Sequence, residues 1–374
     1  MNNEPKKLGF GLMRLPITAS GDDKTIDQKA LEAMADEFIA HGFTYFDTAY
    51  VYHGGCSETA FREAVVKRYP RDAYTIADKM PVYYCNEAAD YDKYFAEQLE
   101  RCGVEYFDYY LLHAMSKARY ESVSAQGGFE FMHRIKADGR AKQIGFSFHD
   151  TADVLDLILT EHPEMDFVQL QINYIDWENP TVQSRLCYEV ARKHSKPIII
   201  MEPVKGGALA NIMPEIESHF TSYDSTASSA SWAVRYCASL PGVFMVLSGM
   251  SDMDQLCDNT SYMREFKPLT PAEREIVSQV ATEISASIVV PCTGCKYCVD
   301  GCPMNIAIPR YFSLLNRSNQ YDLPEKHQRE FDELSTKFGL PSACIVCGQC
   351  EGSCPQHLPI IESLKLVTDK FEGK

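Results

Sequence analysis

YDKYFAEQLERCGVEYFDYYLLHA, residues 91–114, changes periodicity partway along. Its first half places Tyr91, Tyr94, Phe95, Leu99 and Cys102 at the spacing of one helix face, and Gly103 stands where helices stop. The second half ends in the β-rich run YYLLHA, 109–114. Helix, glycine and strand in that order make half of a βαβ unit, and the fold depends on whether the unit recurs.

It recurs through the first 250 residues. β-rich runs stand at LGFGLMR (8–14), TYFDTA (44–49), YTIADK (74–79), QIGFSFH (143–149), FVQLQIN (167–173), PIIIME (197–202) and VFMVLSG (243–249). Helical patterns such as DQKALEAMADEFIAHG, FEFMHRIKADGRA and TVQSRLCYEVARKH lie between them. Eight strands separated by helix-length segments predict parallel strands with right-handed crossovers, closed into a (β/α)8 TIM barrel. A doubly wound open sheet is the rival arrangement. At KPLTPAER (267–274) two prolines and a capping threonine mark a break, giving a barrel over 1–268 and a second domain over 269–374. In that tail IPRYFSLLNR and PEKHQREFDELSTKFG have helical character, so it is expected to be mainly α-helical.

The tail also holds eight of the 14 cysteines, in two copies of C-x2-C-x2-C-x3-C-P. The first runs through Cys292, Cys295, Cys298 and Cys302, and the second, 52 positions later, through Cys344, Cys347, Cys350 and Cys354. This is the run of bacterial two-cluster ferredoxins, in which three thiolates hold one [4Fe–4S] cluster and the fourth reaches the other. Tetrahedral zinc also uses C-x2-C pairs, but rarely four close cysteines twice with a proline after the last. The crossed pattern assigns Cys292, Cys295, Cys298 and Cys354 to one cluster, and Cys344, Cys347, Cys350 and Cys302 to the other. The 41 residues between Cys302 and Cys344 are longer than compact ferredoxins have, which favours a helical ferredoxin-like module. The other six cysteines show no metal spacing and read as ordinary buried thiols, with Cys56 and Cys85 close to candidate catalytic strands.

Apolar residues at 45% and charged residues at 24% are those of ordinary globular chains and exclude disorder. A net charge of -16 repels nucleic acid and anionic membrane, so neither is an expected partner. No apolar run reaches a membrane span and the start MNNEPKKLGFGLMRLP is no signal peptide, so the expected compartment is the cytoplasm, where clustered cysteines bind metal.

Active sites of such barrels sit at the C-terminal strand ends. There stand Asp47 and Tyr52 after the second run, Lys79 at the end of the third and His113 at the end of the fourth. With GFTYFDTAYVYHGGCSE, YFDYYLLH, DGRAKQIGFSFH and SGMSDMDQLCDN, residues 8–262 resemble the aldo-keto reductase superfamily. With its tail, the whole chain is similar to the ferredoxin-fused aldo-keto reductases of anaerobic bacteria.

The resemblance implies a catalytic tetrad of Asp47, Tyr52, Lys79 and His113. Tyr52 would be the acid at a developing alkoxide, Lys79 would favour its ionised form, Asp47 would orient Lys79, and His113 would bond the substrate oxygen. It also implies cofactor contacts at Ser147, Gln169, Gly249, Gln255 and Asn259. Met201 stands near the position of the ring-stacking tyrosine, and Phe148 where an asparagine usually holds the carboxamide. Bases that grip a 2′-phosphate are missing from SGMSDMDQLCDN, which leans toward NADH over NADPH.

Hydride moves as two electrons and a cluster takes one, so something must reconcile them. A flavin would do so and stays open, because barrel phosphate sites need no glycine-rich fingerprint. The expected function is reduction of a carbonyl or related small molecule with NAD(P)H, with two [4Fe–4S] clusters as electron conduits and a ferredoxin or flavodoxin as a candidate redox partner. The alternatives are an electron-transfer or redox-sensing protein whose barrel binds nucleotide without turnover, and one-electron reduction driven by the clusters without nicotinamide.

Overall fold

A computed structural model describes residues 6–19, 22–321 and 323–373. Residues 1–5, read above for a targeting segment, lie outside the described residues. Eight parallel strands close into a barrel: β1 Leu8–Gly11, β2 Tyr45–Asp47, β3 Thr75–Met80, β4 Phe107–Met115, β5 Ala141–Phe148, β6 Phe167–Gln171, β7 Ile198–Met201 and β8 Val243–Gly249. Each pairs with its neighbour in sequence, and β1 closes on β8 through Gly11 and Gly249. All eight predicted runs are strands of this barrel, and closure rules out the open sheet.

Helices form where capping and glycine stops predict. Helix Gln28–Ala40 starts at Asp27, whose side chain accepts the Ala30 N–H at 3.1 Å. Helix Ala88–Cys102 opens on a Glu87–Asp90 capping box and ends at Gly103, left-handed at φ 69°. Helices Gly128–Ala137 and Ser184–Lys193 occupy the other two quoted patterns.

Alternation along each strand sorts the core. One row fills the barrel with Tyr45, Ala77, Leu111, Phe167, Ile199, Met245 and Leu247. The opposite row meets the helices, as where Phe46 packs between Phe38 and Phe61 at ring-centroid distances of 5.3 and 5.4 Å. Gly9 is required inside, since a Cβ there would stand 2.7 Å from Leu247 and 2.9 Å from Tyr45. Asp47, Lys79 and His113 continue the inward row, two residues beyond Tyr45, Ala77 and Leu111. Their polarity is therefore placed at the C-terminal mouth by strand parity.

The chain divides into two compact units, one of 1–178, 183–203 and 230–270, the other of 179–182, 204–229 and 271–374. In the second, helix Pro214–Tyr223 joins helix Pro271–Ser287, with His219 Nε2 3.0 Å from Glu283. Helices Ile308–Gln320, Pro324–Lys337 and Ile360–Phe371 enclose its core through Tyr311, Phe312, Leu315, Phe331, Leu364 and Val367. No helix among the described residues is long and apolar enough to cross a membrane.

Candidate active site and metal centre

The four candidate catalytic residues converge on one point. Lys79 Nζ donates to Asp47 Oδ1 and to the Thr48 carbonyl, both at 2.6 Å, and lies 4.8 Å from the centroid of the Tyr52 ring. The His113 ring meets Tyr52 edge-on at 6.0 Å. Lys79 is fully buried and Asp47 and His113 nearly so.

Burial dominates the electrostatics. It pushes the Tyr52 phenol well above its ordinary value, and the charges of Asp47, Tyr83, Glu202 and Asp78 add to it. Lys79, the charge expected to favour the ionised phenol, has its Nζ engaged by Asp47 and the Thr48 carbonyl. Burial likewise raises the Asp47 carboxyl against the pull of Lys79. His113 falls well below 6.5 through burial and the nearby Lys79, His149 and Arg119, so its imidazole is neutral.

Among the described residues, the buried atoms Asp47 Oδ2, His113 Nδ1 and Gln169 Oε1 have no hydrogen-bond partner. They belong to β2, β4 and β6, and buried polar atoms are as a rule hydrogen-bonded. Gln169 Nε2 donates to Met201 Sδ at 3.4 Å, which leaves its oxygen for a ligand amide. Ser147, paired in register with Gln169, accepts the Ala114 N–H at 2.7 Å through its hydroxyl. These atoms suit a polar planar ligand such as a nicotinamide carboxamide.

The remaining expected cofactor residues are differently engaged. Asn259 donates to Ser248 Oγ at 2.7 Å and accepts from Tyr262, while Gln255 bonds Asp252 and the Ser251 N–H. Phe148 belongs to the outward row of β5 with Phe146, 6.3 Å away. Two residues were missed by inspection of motifs. Arg14 packs its aliphatic chain on Gly249, within 3.3 Å of a Cβ placed there, and its carbonyl accepts from Ser251 Oγ. Tyr83 lies 5.9 Å from His113. Both come from loops after β1 and β3 with no motif of their own; position beside a strand end was the available signal. Of the isolated thiols, Cys85 is buried and pushed up to about 12 by burial and Asp90, which makes it a poor nucleophile.

The eight tail cysteines form two groups. Cys292, Cys295, Cys298 and Cys354 line one small pocket, and Cys302, Cys344, Cys347 and Cys350 line another. The chain crosses between them as the two-cluster pattern requires. The halves repeat in conformation as well as sequence: positive φ recurs at Gly294 and Val346 (67° and 58°), Lys296 and Gly348 (69° and 75°), and Asn305 and His357 (51° and 50°). Each pair is 52 residues apart. The Gly294 N–H donates to Cys292 Sγ at 3.4 Å, as amides do to cluster sulfurs. Burial pushes the Cys298 thiol far up, so a metal would have to deprotonate it.

Comparison with known proteins agrees with both halves. Residues 7–282 match the aldo/keto reductase family, and residues 291–358 match the 4Fe-4S dicluster domain. Among solved structures, the holo form of aldo-keto reductase AKR11C1 from Bacillus halodurans is 21% identical over 73% of this chain and 91% of its own, with a TM-score of 0.56. An aldo-keto reductase from Klebsiella pneumoniae in complex with NADPH is 19% identical over 74% and 90%, with a TM-score of 0.58. With a closed barrel, the mouth geometry and a family match over most of its length, the chain belongs to the aldo/keto reductase family.

Proposed function

We propose that the protein reduces a carbonyl or related unsaturated small molecule with NAD(P)H at the barrel mouth, and that its tail holds two [4Fe–4S] clusters that carry electrons. The observation behind it is the trio of partnerless atoms, Asp47 Oδ2, His113 Nδ1 and Gln169 Oε1, around a protonated Tyr52.

Bound nicotinamide would supply hydride, and the clusters single electrons. Tyr52 delivers the proton to the substrate oxygen, His113 hydrogen-bonds that oxygen as a neutral imidazole, and Asp47 fixes Lys79 beneath the phenol. Gln169, Ser147 and Met201 would hold the nicotinamide end of a bound dinucleotide, and Gly249, Gln255 and Asn259 would hold the rest. The loop after β8 carries no base and favours NADH, while Arg14 beside Gly249 offers a cation and the Klebsiella relative was solved with NADPH. The barrel is assigned to 1–268 and the cluster domain to 269–374, with a ferredoxin or flavodoxin as redox partner.

Tyr52→Phe tests the reading: aldehyde reduction should fall by about 10²–10⁴-fold, the range for removing a general acid, with nucleotide affinity retained. Wild-type turnover in that variant would remove the proposed acid. The internal engagement of Asn259 favours a second reading, in which the barrel binds nucleotide weakly and does not turn over. Rapid oxidation of bound NAD(P)H by substrate would reject it.

A further inference from the structure

On the face of β3 opposite Lys79 lies a charged cluster that carbonyl reduction does not use. Glu58, Asp78 and Cys102 are each fully buried, and their ligand-type atoms lie within 4.8 Å of one another. Arg101 Nη1 donates to Glu58 Oε2 at 3.1 Å, Cys102 Sγ donates to Asp78 Oδ2 at 3.6 Å, and the Lys79 N–H donates to Asp78 Oδ1 at 2.8 Å. Gln98 Nε2 donates to the Lys79 carbonyl at 3.0 Å and accepts from the Tyr110 hydroxyl. Glu58 Oε1 is buried with no donor among the described residues.

Charge does not balance with both carboxyls ionised. Arg101 is the cation on this side and is shared with Glu97 at 3.6 Å, while the Lys79 ammonium is engaged by Asp47. A second uncompensated carboxylate at full burial is strongly unfavourable, and Glu58 Oε1 lacks a proton to accept. One proton on Asp78, directed at Glu58, satisfies both.

We propose that Asp78 is a carboxylic acid sharing its proton with Glu58, and that this singly protonated pair, its one remaining charge balanced by Arg101, is the positioning device that holds Lys79 under Tyr52. The inference rests on the role given to Lys79 above. Asp78 and Gln98 together take both backbone polar groups of Lys79, which fixes the residue on β3 from behind. Burial and then the Glu58 carboxylate push Asp78 well above its ordinary value, and burial raises Glu58 against its bonds to Asp78 and Arg101. The groups facing Asp78 are Glu58 from helix Ser57–Phe61, Gln98, Arg101 and Cys102 from helix Ala88–Cys102, Tyr110 from β4 and Lys79 itself. Cys102 is held as a neutral thiol. Because the folded Asp78 value is raised, its stabilisation is complete below the ordinary aspartate range and is lost as pH rises through the folded value.

Infrared spectroscopy of the holoprotein is the test. Wild type at neutral pH should show a carboxylic-acid C=O stretch, which Asp78→Asn and Glu58→Gln should both lack, the latter because Asp78 alone would ionise opposite Arg101. Asp78→Asn, a neutral isostere, should keep turnover within about twofold and lose the decline in stability that sets in above the ordinary aspartate range, whereas Asp78→Ala should lower turnover about tenfold by leaving buried groups unpaired. No such band in wild type, or one equivalent of zinc that disappears in Asp78→Asn, would overturn the proposal. The band and the stability profile do not depend on turnover, so they judge the pair even if Tyr52→Phe shows that Tyr52 is not the acid.

Discussion

Lys79 and Asp47 form a buried ion pair at the barrel mouth. The Lys79 ammonium and the Asp47 carboxylate are out of solvent and 2.6 Å apart, so removing one strands the other. Lys79→Met should destabilise the protein by about 3–5 kcal/mol, measured by urea unfolding, and Asp47→Asn in the same chain should recover part of the loss. The pH dependence follows from Tyr52 and His113. With Tyr52 raised and His113 lowered, both stay neutral across the physiological range, so the turnover profile should show no falling alkaline limb below about pH 10. The folded His113 value is depressed, so its stabilisation is present above 6.5 and lost as pH falls through the folded value. His113→Gln should flatten that acid loss in a thermal-melt series. Asp47, Lys79 and His113 were legible as polar residues at strand ends, and their reading as a tetrad with Tyr52 came from the family resemblance. The state of Tyr52 was not legible, because it is set by burial that sequence does not display.

At the scale of elements, the two cysteine loops with the helices that follow them, Ile308–Gln320 and Ile360–Phe371, are copies at one offset. Backbone bonds repeat too: Asn305 N–H to the Cys302 carbonyl at 3.0 Å is matched by His357 to Cys354 at 3.1 Å. Because the fourth cysteine of each run crosses over, Cys354→Ser should disturb the cluster of Cys292, Cys295 and Cys298, and Cys302→Ser that of Cys344, Cys347 and Cys350. Electron paramagnetic resonance of the dithionite-reduced variants should show a different cluster altered in each. Loss of the cluster in the variant's own run would contradict the crossing. This grouping was readable because the C-x2-C-x2-C-x3-C-P run is that of two-cluster ferredoxins, in which the fourth cysteine crosses. The strands were readable for a similar reason, since period-two runs bounded by helix stops leave little choice. Arg14 was invisible, because its approach to Gly249 joins the first strand to the last and no local pattern records it.

For the whole molecule, closure of the barrel brings Asp47, Lys79 and His113 from three strands to one mouth, and the tail folds around its own apolar core of Tyr311, Phe331 and Val367. The grouping of 204–229 with the tail was not apparent from composition, because that segment follows β7 as any barrel loop would. The proposed function would join a proton-donating barrel to a domain that moves single electrons, and it demands two iron–sulfur cubes in one chain. Iron, acid-labile sulfide and zinc assayed together on anaerobically purified protein test this most directly. The prediction is about eight iron and eight sulfide per chain with no zinc. Zinc bound by these thiols, with neither iron nor sulfide, would contradict it.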